Sequence, residues 1–350
     1  MSAQAGTATT PAPATAERSD GSLVELVFRI REIGLLGVLA LLVMATTVKN
    51  SNFTSSQNLR DIGLNVAIVG LLAVGQTVVV VSRNIDLSVG SVLGFTAFLA
   101  GRLFVDHPGI PIPLVFLIGI AVGIGFGAIN GALTSLGRVP SLVVTLGTLY
   151  IIRGVDFAWA KGKEVDAHQL PDSFLKIGSN SVLGIPILPL ITIGVMLAAG
   201  VFMRSYRPGR ELYAIGSNPG AAVLAGIRVP RRVFTAFVIS GALAGLAGVL
   251  WTARFGTVDA TAAQGLELQV VAAVVVGGVA IFGGSGTVYG AAIGALLLAS
   301  IGSALGVLNV STRWEQAIDG GLLLTAIALD RLLQLRLAAR LQRRSVSRGR

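Results

Sequence analysis

Charged residues are distributed along this chain so as to leave long stretches without any. Ile187–Met203 and Phe237–Ala253 contain no Asp, Glu, Lys or Arg. Within them apolar residues do not alternate with polar ones, as a half-buried strand requires, but cover every face of a helix. A helix of roughly 17–25 such residues spans a bilayer. In lipid the backbone amides must bond internally, which leaves helices or a closed barrel, and a barrel needs the missing alternation. The pattern predicts an all-α, polytopic membrane protein of about ten transmembrane helices, at 33–48, 62–82, 90–105, 111–134, 140–160, 185–203, 233–253, 268–283, 288–306 and 316–333. The run at 90–105 carries Gly94, Gly101 and Arg102 and also reads as a re-entrant half-helix. Residues 1–32 read as a disordered tail and lead-in, 33–335 as the membrane domain and 336–350 as a basic tail. No basic residue precedes an early apolar core, so the start does not have the form of a signal peptide.

Composition agrees with that pattern. Charged residues are 13% of the chain, against about 25% in soluble domains. The 45 glycines would be costly in soluble helices but let membrane helices approach closely, above all in Gly119–Gly131 and Gly290–Gly294. Without cysteine there is no disulfide, thiolate metal site or thiol catalysis. The net charge of +10 does not point to nucleic acid, since aromatics for base stacking are only 6%. It resolves by topology instead. With both termini inside, the inner segments hold 18 Lys and Arg and the outer ones 8, so the orientation expected is N-in and C-in.

Two hydrophilic stretches interrupt the apolar runs. Residues 161–184 fall outside and 204–232 inside. In the inner one Pro208 and Gly209 break the chain, Glu211–Ile215 favours helix, Gly216–Gly220 is a turn, and Ala221–Ala225 forms a short helix that Gly226 ends and Pro230 cannot continue. A faint echo of Gly90–Gly94 appears in Gly286–Gly290, as in transporters built from repeats.

Candidate chemistry is sparse. His107 and His168 are too far apart for a helical metal pair, and Gly283–Thr287 lacks the lysine of a phosphate loop and reads as a tight turn between spans. Asp86, where a span breaks, is placed to cap the helix starting near Ser88. Arg153 and Asp156 are spaced to neutralise each other on one helix face. Glu267, Glu315 and Asp319 read as interfacial. A weakly polar path needs neutral hydrogen-bonding groups, which Gln76, Thr77, Asn130, Thr134, Thr145, Thr148 and Tyr150 supply. With Asn84, Asp86 and Ser88, the residues Gln76, Asn130, Thr145 and Thr148 are the candidates for the translocation path or its break.

Three segments together resemble the permease subunits of bacterial ATP-binding-cassette monosaccharide importers, of the ribose, xylose and rhamnose type, related to autoinducer-2 permeases. They are NIDLSVGS (84–91), with Asn84 where the family usually has Gly, GRELYAIGSNPGAAVLAGIRV (209–229) and VVVGGVAIFGGSGTVYGAAIGAL (274–296). The resemblance implies two permease copies or homologues paired in the bilayer of the bacterial cytoplasmic membrane. It also implies a separate cytoplasmic ATPase that uses the ATP, and an extracytoplasmic sugar-binding protein, which 161–184 is placed to contact. It implies no cofactor, metal or catalytic residue in this chain. By the same resemblance Glu211, Gly216, Asn218, Pro219, Ala222 and Gly226 form the site that couples to the ATPase, with Gly216 and Gly226 setting its turns. FAWAKGKEVD and WEQAIDGGLLLTAIALDRL look closest to rhamnose-type permeases. An autoinducer-2 or branched-chain amino-acid permease, or an ion-coupled carrier using Asp86 or Asp156, stands as the alternative.

Overall fold

The computed structural model describes residues 20–311, 313–328 and 331, with 20–32 as backbone alone. Residues 1–19 of the tail read at 1–32, and the tail read at 336–350, lie outside these. The described chain is almost entirely helical: α1 (Asp20–Lys49), α2 (Ser56–Val81), α3 (Val89–Asp106), α4 (Ile112–Ser135), α5 (Ser141–Ala160), α6 (Asp172–Ser179), α7 (Ile187–Ser205), α8 (Arg207–Ser217), α9 (Pro219–Leu224), α10 (Val229–Phe255), α11 (Leu266–Val276) and α12 (Val288–Val307). A last helix, α13, is described over 313–328. A two-residue antiparallel hairpin pairs Ser181–Val182 with Ile185–Pro186 before α7. Among the described residues seven helices are long and apolar enough to cross a membrane, namely α2, α3, α4, α5, α7, α10 and α12.

Three sequence readings change. The first helix begins at Asp20, not near Ile33, because nothing in 23–32 is Gly or Pro and the helix is free to extend. The run at 90–105 is a full 18-residue helix, α3, rather than a half-helix. Its glycines are contact points: Gly94 lies against Ala262 and Arg153, and Gly101 against Val165. Its charged residue, Arg102, is answered one turn on by Asp106 at 2.5 Å. The expected span 268–283 is not one helix. It stops at Val276 after 11 residues, roughly 16 Å of rise, and residues 277–287 are irregular. Gly277 there lies so close to the Gly290 backbone of α12 that no Cβ fits.

The bundle is built round α2. Of its most apolar stretch 89% is buried, against 22% for α4 and α7, which turn Leu and Ile side chains outward as lipid-facing helices do. The closest pairing is α4 on α10. Gly119, Gly123, Gly127 and Gly131, each four residues apart, meet Gly241, Gly245 and the backbone of Phe234 and Phe237. Bare backbones pack where side chains would hold them apart, the packing that drives helix association in lipid. The expected tight packing of Gly119–Gly131 and Gly290–Gly294 is found in both places.

Candidate functional site

The hydrophilic segment after α7 folds as two short helices. Pro208 does not break the chain but sits in the first turn of α8, where its missing N–H costs nothing. Gly209 packs on the backbone of Phe202 and Met203. Helix α8 buries Leu212, Ile215 and most of Glu211. The Glu211 carboxylate accepts from Arg207 at 2.7 Å and also from Arg232 of α10. These bonds, Arg232 first, hold its carboxyl below the usual carboxylate range although burial opposes them. Arg207, Arg228, Arg231 and Arg232 surround it in a cavity of about 280 Å³. The turn between the helices is made by Asn218, whose Oδ1 accepts from the Ala221 amide at 3.0 Å, and α9 then starts at Pro219. Ala222 is buried beneath α9, while Leu224 is 90% exposed beside the exposed Val223. Gly226, at φ +77°, turns the chain into α10.

Gly216 makes no turn, contrary to the sequence reading; it lies inside α8. Its α-carbon presses on the Val81 carbonyl at the end of α2 and on the Gly284 amide, which bond each other at 2.9 Å. A side chain has no room there. Arg83, just past α2 and at φ +66°, donates to the Gly216 carbonyl at 2.5 Å and the Ser217 carbonyl at 2.9 Å. Thus α8, the end of α2 and the glycine-rich loop 277–287 meet at one point. In the sequence Arg83 is one of the 18 Lys and Arg of the inner segments, and the only other sign of a role is its place between a valine run and the NIDLSVGS segment.

Five residues beyond Val81 the break between α2 and α3 is anchored from inside. Asp86 is buried; its Oδ1 accepts from the Ser88 amide at 3.0 Å and the Ser88 hydroxyl at 2.6 Å, and its Oδ2 from Ser240 of α10 at 3.0 Å. Asn130 of α4 donates to Ser88 Oγ at 2.8 Å. The Gln76 amide, turned so that both its ends are satisfied, donates to the Asp86 carbonyl at 3.1 Å and accepts from its amide at 3.2 Å. Thr145 of α5 reaches the Ile85 carbonyl at 3.2 Å, and Asn84 folds back on Ser82. Gln76, Asn84, Asp86, Ser88, Asn130 and Thr145 are therefore gathered at the break. Thr148 bonds only within α5, Thr77 only within α2, and Tyr150 is exposed.

Arg153 and Asp156 attract each other electrostatically but, among the described residues, make no hydrogen bond or ion-pair contact with one another. Arg153 donates to the carbonyls of Ala262 at 2.8 Å, Ala260 at 3.1 Å and Gly90 at 3.3 Å, which draw it away from its helix neighbour. Asp156 is buried with neither carboxylate oxygen hydrogen-bonded. At the end of the bundle away from α8 and α9, the 161–184 segment is joined to the loop after α10 by Val165 and Val258, which exchange backbone bonds of 2.9 and 3.0 Å. Two adjoining cavities open at that end, one lined by Trp251, Gln269, Glu315 and Asp319 and the other by Asn58, Asp61 and Arg254. Glu315 and Asp319 thus face a cavity, and Glu267 lies against Gly90 of α3.

Comparison with known proteins gives one consistent picture. Residues 58–327 match the family described as "Branched-chain amino acid transport system / permease component". The autoinducer 2 import system permease protein LsrC of Salmonella choleraesuis (strain SC-B67) is 34% identical over 314 residues, covering 90% of this chain and 89% of the relative. The D-allose transport system permease protein AlsC of Escherichia coli (strain K12) is 32% identical over 301 residues, covering 86% of this chain and 91% of the relative. No solved structure matches.

Proposed function

The chain belongs to the branched-chain amino acid transport system permease family, and from that premise we propose that it is the membrane-spanning subunit of an ATP-driven importer carrying a monosaccharide across the cytoplasmic membrane by alternating access. The family supplies the role of permease. The observation that carries the coupling is the junction at Gly216, where α8 is wedged on the broken ends of two membrane segments and held there by Arg83. A push on α9, whose Val223 and Leu224 face outward, passes through α8 to the break before α3. That suits a separate ATPase docked on α8 and α9, with this chain binding no nucleotide or other cofactor. The excess of arginine puts this end in the cytoplasm, with both termini inside. The opposite end then receives sugar from a binding protein at 161–184, and a second permease copy or homologue completes the pathway. D-allose, carried by one relative's system according to its name, and rhamnose, from the resemblance above, are the first sugars to try.

A specific observation keeps a second reading in view: Asp156, buried and with neither carboxylate oxygen hydrogen-bonded among the described residues, is the group an ion-coupled carrier would use. Uptake of labelled D-allose and rhamnose into membranes holding this chain, its neighbouring ATPase and binding protein decides between them. ATP-dependent uptake that Arg83→Ala abolishes while the complex still assembles is the expected result. Uptake without ATP or partners overturns the importer reading in favour of the carrier; ATP-driven uptake of leucine but of no sugar overturns the substrate class.

A further inference from the structure

Helix α10 ends at Phe255, and residues 256–265 return the chain to α11. Between this loop, the first turn of α11 and α13 lies a cavity of about 490 Å³, within the range that holds small ligands. Trp251 and Phe255, with ring centroids 4.4 Å apart, form its aromatic side. Gln264, Gln269, Glu315 and Asp319 bring polar groups to it. The second cavity, of about 460 Å³, shares Trp251, Leu266, Gln269 and Glu315 with the first and extends the space between α2 and α12.

These polar groups are not used up by one another. Asp319 is only 9% exposed, yet its Oδ1 has no hydrogen-bond partner among the described residues. Glu315 meets Gln269 at 3.5 Å, the outer limit of a hydrogen bond. A buried carboxylate oxygen left bare is costly, so the site favours a molecule that brings donors. The glutamines add both donors and acceptors, and the rings offer a flat apolar surface. A ligand matching all of this carries several hydroxyls on a ring with an apolar face. A free amino acid is disfavoured. Asp259, Glu315 and Asp319 line this cavity and, among the described residues, no Lys or Arg does, so a carboxylate held here meets like charge, the one cation nearby being Arg254 of the adjoining cavity.

We propose that this cavity is a monosaccharide-binding station, with Trp251 and Phe255 as the platform and Gln264, Gln269, Glu315 and Asp319 as the hydroxyl partners. The ligand class rests on the importer reading; the place rests on the cavity alone. The Val165–Val258 bridge ties its rim to the 161–184 segment, where sugar is delivered.

The test uses the full-length chain in lipid nanodiscs. It has three tryptophans, so Trp159→Phe with Trp314→Phe leaves Trp251 as the one indole. D-allose, rhamnose, ribose and, as control, leucine are titrated while its fluorescence is followed. A saturable change with a sugar and none with leucine is expected. Asp319→Asn, which keeps the side-chain shape, should raise the half-saturating concentration about tenfold, as should Gln264→Ala at the rim. If a sugar is imported by the whole assembly yet leaves Trp251 emission unchanged, or if both variants bind as tightly as the parent, the station is wrong and the importer reading stands. If the assembly imports leucine and no sugar, the sugar substrate class falls, and this proposal with it.

Discussion

The two ends of the bundle are built on opposite plans. Where α8 meets the broken ends of two membrane segments, backbone touches backbone: Gly216 on Val81 and Gly284, with the Val81 carbonyl taken by the Gly284 amide and those of Gly216 and Ser217 by Arg83. At the far end the loop after α10 and the start of α13 leave two cavities and an unpaired buried carboxylate. The first arrangement has no slack, so a displacement at one side must appear at the other. The second leaves its polar groups free for something from outside. A close-packed contact transmits movement, and an unfinished hydrogen-bond set receives a ligand.

That contrast can be broken most severely at Gly216. Gly216→Val drives two methyl groups into backbone that cannot step aside, and we expect at least a tenfold loss of ATP-driven uptake and about 3 kcal/mol of stability, read by transport and by thermal unfolding of the assembled complex. Glu315→Gln at the other end should leave the melting temperature nearly unchanged, and an equal loss there would end the comparison. Next is Asp86→Ala, which strips acceptors from Ser88 and Ser240 and should cost about 2–3 kcal/mol in the same melts.

Glu211→Gln is smaller, about 1.5 kcal/mol, since most of its worth comes through the shielded Arg232 and little through Arg207, whose side chain is 80% exposed. Because the folded carboxyl lies below its unfolded range near ~4.3, this contribution is complete at neutral pH and lost as pH falls through the folded value. The parent should therefore lose more stability than the Gln variant below about pH 4, and parallel curves would refute the clamp. Gly226→Ala is the least. It meets open space but holds φ +77°, so strain of about 1 kcal/mol is the whole expected effect, measured as a small drop in melting temperature with uptake retained.

Legibility in the sequence followed the range of the force concerned. The glycines at 119, 123, 127 and 131 announced a close helix contact, since four-residue spacing puts them on one face. Asp86 was readable as a local acceptor, since it takes the amide of Ser88 two residues on, but it does not cap α3, whose N-cap is Ser88 without a side-chain capping bond. Arg153 and Asp156 misled for the same reason: their spacing permits a pair, but carbonyls more than a hundred residues away hold the arginine. Gly216 was read as a turn because glycine usually marks one, whereas here it marks a collision avoided with residues from two distant segments.

By itself the sequence determined that this chain spans a membrane as helices, because lipid offers the backbone no other partners and hydropathy is summed over neighbours. It determined that two short helices with a turn between them interrupt the spans and that Gly226 ends the second, while the longer extent of α8 and the place of the turn at Asn218 came from the fold. Only the tertiary structure decided that α11 stops at Val276 against α12, that Arg83 clasps α8, and that Asp319 stands unpaired beside Trp251. Each of those depends on which distant backbone arrives within a hydrogen-bond length, and no local pattern of residues encodes that distance.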